Sequence, residues 1–205
     1  MPALFDPILL RDLQLDNRVV ISPMCQYSAD AGSASSWHAM HVGQLAQSGA
    51  GCLILEATGV AAAGRITKGC LGLYSDANER AFAALLESVR AWSAMPIGIQ
   101  LAHAGRKASS QRLWQGDGPL AAAEGAWPCI APSPEPYDEG WHRPEALDRE
   151  GMKSVIGEFT QAVARAERLG FDLIEIHAAH GYLLSEFLSP LVNRRADEYG
   201  GSLEN

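Results

Sequence analysis

Asp172 to Tyr182 reads DLIEIHAAHGY. The run from Phe171 to Ile176 is apolar apart from Asp172 and Glu175, and it follows a helix-like segment ending at Leu169-Gly170. This predicts a buried strand of a parallel sheet, because a strand covered on both faces needs a near-continuous apolar run. His177, His180 and Tyr182 come at its C-terminal end. Polar groups gathered where a strand meets a loop are the layout of a barrel active site. Two imidazoles can hold an oxygen that gains negative charge, and a phenol can give up a proton nearby. A single strand-end histidine often only bonds backbone; His, His and Tyr clustered this closely argue for chemistry.

Upstream of this stretch the same strand–helix alternation repeats. Ile8 to Leu15 predicts a hairpin. Val19 to Ile21 predicts a first strand that Pro23 stops. Ser35-Ser36 can cap a helix through His38, His41, Leu45 and Ala46, closed by Gly49. Leu53 to Glu56 predicts a second strand. Ser75 or Asp76 can cap a helix over Ala77 to Ala94, with Phe82, Leu85, Leu86 and Val89 on one face. Ile97 to Leu101 predicts a third strand, with His103, Arg106 and Lys107 just beyond it. Asp148 can cap a helix from Arg149 to Leu169, whose Val155, Phe159, Val163 and Ala166 face the sheet. Between them, Ala108 to Leu147 is aperiodic, proline-rich and carries Trp114, Trp127 and Trp141. A long loop excursion of this kind, over about 104–148, is usually functional.

Strands alternating with helices imply a parallel sheet with right-handed crossovers. The first strand–helix turn, PMCQYSADAG, lacks GxGxxG, which argues against a doubly wound dinucleotide fold. Polar residues at the C-terminal ends of successive strands (Cys25 and Tyr27, Thr58, Gln100 and His103, His177 and His180) favour a (β/α)8 TIM barrel. A closed barrel takes eight strands and about 250 residues. The 205 residues are therefore expected to form one domain, 1–205, supplying about the first four βα units after the hairpin.

Composition narrows the partners. Apolar residues make up 47% and charged residues 20%, enough for a packed core. The net charge of −8 disfavours nucleic acid and acidic membrane surfaces. No run is long enough to span a bilayer, and MPALFDPILL lacks the pattern of a signal peptide. Cys25, Cys52, Cys70 and Cys129 form no CxxC, so reduced thiols in a cytoplasmic protein are expected and a zinc site is not. His38 and His41, one helical turn apart, lack carboxylate partners at metal-binding spacing.

Six ordered segments, ISPMCQY, EATGV, GRIT, GIQLAHAGRKA, IEIHAAHGYLLSEFLSP and NRRADEYGGSLEN, together resemble the Old Yellow Enzyme family of FMN-dependent ene-reductases. The branch most similar is that of xenobiotic reductase A and the thermophilic-like ene-reductases. The resemblance implies an enzyme that passes hydride from NADPH or NADH, through FMN, to an activated, electron-poor alkene such as an enone, with nitro compounds and other xenobiotics as further acceptors. It implies that His177 and His180 bind the substrate carbonyl oxygen, that Tyr182 protonates the α-carbon, and that Tyr27 touches the substrate. Pro23, Met24 and Cys25 match the segment under the flavin, Cys25 standing where other branches have threonine. Ala57 and Gln100 match residues at the pyrimidine edge. A homo-oligomer, dimer or tetramer, is implied as well.

The family's second half, with its phosphate-binding loops and the arginine near the flavin, lies outside these residues. The last motif usually continues with arginine, so the chain is expected to be part of a longer enzyme or a truncated product. Two other functions compete: a non-catalytic half barrel that self-associates through its exposed sheet edge, and a metal-dependent barrel hydrolase using the histidines.

Overall fold

The computed structural model describes residues 3–202 and 204–205. Strands β1 (Ile8–Leu10) and β2 (Leu13–Leu15) form the expected antiparallel hairpin, turned at Arg11 with φ 52°. The main sheet is parallel, in the order β3-β4-β5-β8. Its strands are β3 (Val20–Ile21), β4 (Cys52–Gly59), β5 (Ile97–Ala102) and β8 (Leu173–Ile176). Helices α1 (Ser36–Leu45), α2 (Asp76–Arg90) and α3 (Arg149–Leu169) fill the crossovers, and a short α4 (Leu183–Leu188) follows β8.

The helix ends follow from local chemistry. The Ser75 hydroxyl accepts from Asn78 N–H at 3.2 Å, so Ser75 rather than Asp76 caps α2. Asp148 Oδ1 accepts from Gly151 N–H at 2.7 Å, and Gly170 closes α3 in the left-handed region at φ 73°, where a side chain would be strained. Three boundaries shift. Helix α1 ends at Leu45, capped by Ala46, not at Gly49. Helix α2 ends at Arg90, not Ala94, well before Pro96. Strand β4 runs on to Gly59, because its later residues pair with β5 across a register irregularity between Leu55 and Thr58.

One face of the sheet carries the main core. Leu53, Leu55, Ile97, Ile99 and Leu101 meet Val42 and Ala46 of α1, the Phe82, Leu85, Leu86, Val89 stripe of α2, and Ala162 and Ala166 of α3. Val163, expected in the α3 stripe, is exposed, and Ala162 takes its place. Ala162 continues the rhythm Val155, Phe159, Ala166, whereas Val163 lies about 100° further round the helix.

The strand of the opening stretch is shorter and less covered than expected. It begins at Leu173 because Phe171 turns into the core, edge-on to Phe82 at 5.8 Å, and Asp172 accepts from Ile97 N–H at 2.9 Å. It is half-exposed because it is the last strand of the order, with β5 on one side only. The long excursion also holds regular structure: three 3-10 turns (Gly105–Lys107 at its start, then Leu113–Gln115 and Ala122–Glu124) and a two-stranded pair, β6 (Ile130–Ala131) with β7 (Glu145–Ala146). Among the described residues no helix is long and apolar enough to cross a membrane.

Candidate active site

Alternation along the strands separates two faces. With Ile97, Ile99, Leu101 and Ile174 against the helices, Gln100, Glu175 and His177 point the other way. Gln100 sits inside β5, opposite Glu175 of β8, and its amide nitrogen donates to the Glu175 carboxylate. It is therefore an in-strand group held by its neighbour.

His177 extends the ladder by one residue, its N–H donating to Leu101 O at 2.9 Å. Its side chain is buried, while His180 is exposed. Ala179 N–H donates to His177 Nδ1 at 3.2 Å, which leaves the ring proton on Nε2. That Nε2 lies 3.1 Å from His180 Nδ1. The Tyr182 ring lies edge-on to His177 at 4.8 Å and to His180 at 6.4 Å. Burial, then the neighbouring His180, pushes the His177 pKa down, so the ring is neutral near pH 7. Burial, then Cys25 and Tyr27, pushes the Tyr182 phenol up, so it stays protonated.

The loop after β3 meets this cluster. Cys25 and Tyr27 are near enough to raise Tyr182, and Ala57 and Tyr27 lie near enough to the Cys25 thiol to offset part of its shift. Burial first, then Cys70 and Glu56, pushes the Cys25 thiol far up, which keeps it neutral. Burial and Cys25 do the same to the Tyr27 phenol. Gln26 N–H donates to Glu56 Oε2 at 3.0 Å and ties the loop to β4. Pro23 is half-buried and Met24 exposed; Met24 O accepts from the Gln26 amide at 2.8 Å. Ala57 is buried at the register irregularity of β4, the kind of kink that re-aims backbone beside active sites. Thus Cys25, Tyr27, Ala57, His177, His180 and Tyr182 form one neighbourhood, and Gln100 lies on the same face of the sheet as His177.

Two residues of this neighbourhood hold left-handed backbone although neither is glycine: Tyr27 at φ 51° and His180 at φ 57°. Such strain costs about 1–3 kcal/mol and collects at functional sites.

His38 and His41 stand apart. His38 Nδ1 accepts from Ser35 N–H at 2.9 Å within the cap of α1, and Nε2 faces Glu56 Oε1 of β4 at 3.4 Å without a hydrogen bond. Among the described residues no three His, Cys, Asp or Glu side chains converge as metal ligands.

The aperiodic excursion supplies groups that sequence reasoning left without roles. Trp114 sets its ring edge-on to Tyr27 at 6.0 Å, and Lys107 lies over the Tyr137 ring at 4.4 Å. Glu186 of α4 is fully buried beneath the Gly105–Lys107 turn and accepts from Arg106 N–H at 3.0 Å. The aromatic content of the loop was the available signal, but nothing in the sequence says which ring returns to the site.

The family model described as NADH:flavin oxidoreductase / NADH oxidase matches residues 3–205. The chain is 47% identical over 204 residues to an NADPH dehydrogenase of Bacillus subtilis, covering 98% of this chain and 56% of that protein. It is 45% identical over 205 residues to the NADH:flavin oxidoreductase FG08077 of Gibberella zeae, covering 98% of this chain and 49% of that one. Among solved structures, morphinone reductase superposes with a TM-score of 0.85 at 32% identity, over 100% of this chain and 55% of its own. An Old Yellow Enzyme from Pichia sp. AKU4542 superposes with 0.86 at 29% identity, over 98% of this chain and 52% of its own. The chain thus spans about half the length of the relatives it matches, and its four-stranded parallel sheet corresponds to part of their TIM barrel.

Proposed function

The chain belongs to the NADH:flavin oxidoreductase / NADH oxidase family, and from that premise we propose that it carries the substrate-activating side of an FMN-dependent ene-reductase, acting on electron-poor alkenes such as enones and nitro compounds with NADPH or NADH as donor. The observation that carries this reading is the 3.1 Å approach of His177 Nε2 to His180 Nδ1 beside the Tyr182 ring.

An oxygen at hydrogen-bond distance from both nitrogens completes a nearly equilateral triangle with them. A substrate carbonyl oxygen at that apex accepts from both rings, and the two donors stabilise the negative charge that grows on it. His177 is set for this by Ala179, which keeps its proton on Nε2. Its lowered pKa lets it donate as a neutral ring. His180 must then present its own proton at Nδ1, so the arriving oxygen replaces His177 as the partner of that nitrogen. Tyr182, protonated by burial, gives its proton to the α-carbon, and the enolate carbon is basic enough to take it. Tyr27 contacts the substrate from the loop after β3.

When bound, FMN supplies the hydride relay between nicotinamide and alkene. The donor set suits its ring, whose edge alternates donors and acceptors: neutral Cys25, the Ala57 backbone at the β4 irregularity, and the Gln100 amide. Pro23, Met24, Cys25, Ala57 and Gln100 would hold it. The resemblance extends the reading to a homodimer or tetramer, which light scattering on the purified protein tests, and the unpaired cysteines suit a cytoplasmic protein.

The first experiment is a visible spectrum after FMN addition and desalting, followed by NADPH and NADH oxidation with a simple enone. Retained flavin absorbance and enone-dependent turnover are expected. A colourless, high-mass oligomer would overturn the reading in favour of a self-associating half barrel.

A further inference from the structure

The two left-handed residues of the site are held in the same way. Arg112 Nε donates to Tyr27 O at 2.9 Å, and Lys107 Nζ donates to His180 O at 2.7 Å. Among the described residues neither carbonyl accepts a backbone N–H. A positive φ turns the carbonyl in a direction the ordinary backbone does not reach, and a cation placed there favours that conformation over the relaxed one.

Both cations come from the segment that follows β5, and both are themselves fixed. Lys107 ends the Gly105–Lys107 turn, whose Arg106 N–H is anchored on buried Glu186. Its ammonium lies over the rings of Tyr137 at 4.4 Å and Tyr182 at 5.7 Å. Arg106 Nη1 donates to Pro136 O at 2.9 Å, which keeps Tyr137 over this turn. Arg112 enters the Leu113–Gln115 turn, whose Trp114 ring packs on Tyr27. Gly69 leaves room for this arrangement: a Cβ there would lie 2.2 Å from Tyr27 O and 2.6 Å from Arg112 Nε.

We propose that Lys107 and Arg112 are paired positioning residues, each pinning the strained backbone of a substrate-contacting residue, His180 and Tyr27, so that the segment after β5 sets the width of the substrate slot. The inference rests on the ene-reductase reading for its consequence, but not for its geometry. Without the Lys107 contact, His180 relaxes toward negative φ and its Nδ1 leaves His177 Nε2. The site then loses one of two oxygen anchors while the flavin-facing residues stay in place.

Two measurements test this on the FMN-loaded protein. The first is titration with a phenol, read by the long-wavelength charge-transfer band. Lys107→Met and Arg112→Met are each expected to weaken phenol binding and raise the enone KM about tenfold, the loss of one charge-assisted hydrogen bond. Lys107→Arg, which keeps a donor, is expected to restore most of the affinity. The second is the crystal structure of Lys107→Met, in which φ of residue 180 is expected to turn negative. Unchanged phenol affinity in Lys107→Met, or φ at 180 still positive, overturns the proposal. Should Met at 107 prevent folding, Lys107→Gln, polar but too short to reach, carries the same comparison. If the unaltered protein takes up no FMN and gives no band, the ene-reductase reading fails, and φ at 180 still decides the clamp.

Discussion

The same strands serve two different environments. On the helix side, Leu53, Leu55, Ile97, Ile99 and Leu101 are packed among apolar side chains of α1, α2 and α3. On the opposite side, Gln100 faces Glu175 and His177 faces His180. The first face is dry and nonspecific: any well-fitting hydrocarbon serves it, because burial energy scales with area. The second face depends on particular atoms, and it keeps polar groups that each need a partner. Stability and chemistry are therefore assigned to alternate residues of one strand, and a change on one face leaves the other largely intact.

The sharpest way to break that division is Tyr182→Phe. It should slow alkene reduction by about 10²–10⁴-fold, the usual worth of a positioned acid, while NAD(P)H-driven flavin reduction and thermal stability hold. Stopped-flow measurement of the two half-reactions decides it; equal loss in both would remove Tyr182 from the proton-donor role. The mirror experiment is Phe82→Ala on the helix side. Phe82 is fully buried, so about 3–5 kcal/mol of stability should go, read from urea denaturation, with phenol affinity unchanged in the folded fraction. A parallel loss of phenol affinity would show that the two faces are coupled. Third, His177→Ala should abolish the phenol charge-transfer band and cost about 10²–10³-fold in enone turnover. A surviving band would take His177 out of the oxygen site.

The smallest effect concerns Glu186 of α4, beneath the Gly105–Lys107 turn. Glu186 is buried without full solvation, and burial pushes its pKa up from 4.5 to about 8. A raised pKa means that the folded state holds the proton more tightly than the unfolded chain. The stability this contributes is complete below 4.5 and is lost as pH rises through about 8. Glu186→Gln should therefore flatten the fall in melting temperature across that interval, as followed by circular dichroism. An unchanged slope would mean that Glu186 titrates normally.

Much of this was legible in order along the chain. Asp148 and Gly170 bound α3 because capping is local chemistry between residues three or four apart. The Phe82, Leu85, Leu86, Val89 stripe was read from its spacing and is the buried face of α2. His177, His180 and Tyr182 could be grouped because a strand end and the turn after it keep neighbours in sequence near in space. Val163 was misplaced because the phase of a stripe drifts along a long helix, and packing against β5 chose Ala162 instead.

What only the tertiary structure decided involves residues far apart in sequence. Arg112 reaches Tyr27 across 85 positions, and Lys107 reaches His180 across 73. Glu186 returns to the turn at Arg106 across 80. Neither periodicity nor motif encodes such meetings, since they depend on where an aperiodic excursion folds back over the sheet. The sequence by itself determined the alternation of strands and helices and the cluster at Asp172 to Tyr182, because spacing and capping act within a few residues. The tertiary structure alone decided which cations hold the left-handed backbone of Tyr27 and His180, because a hydrogen bond to a carbonyl is set by distance in space and leaves no local mark in the sequence.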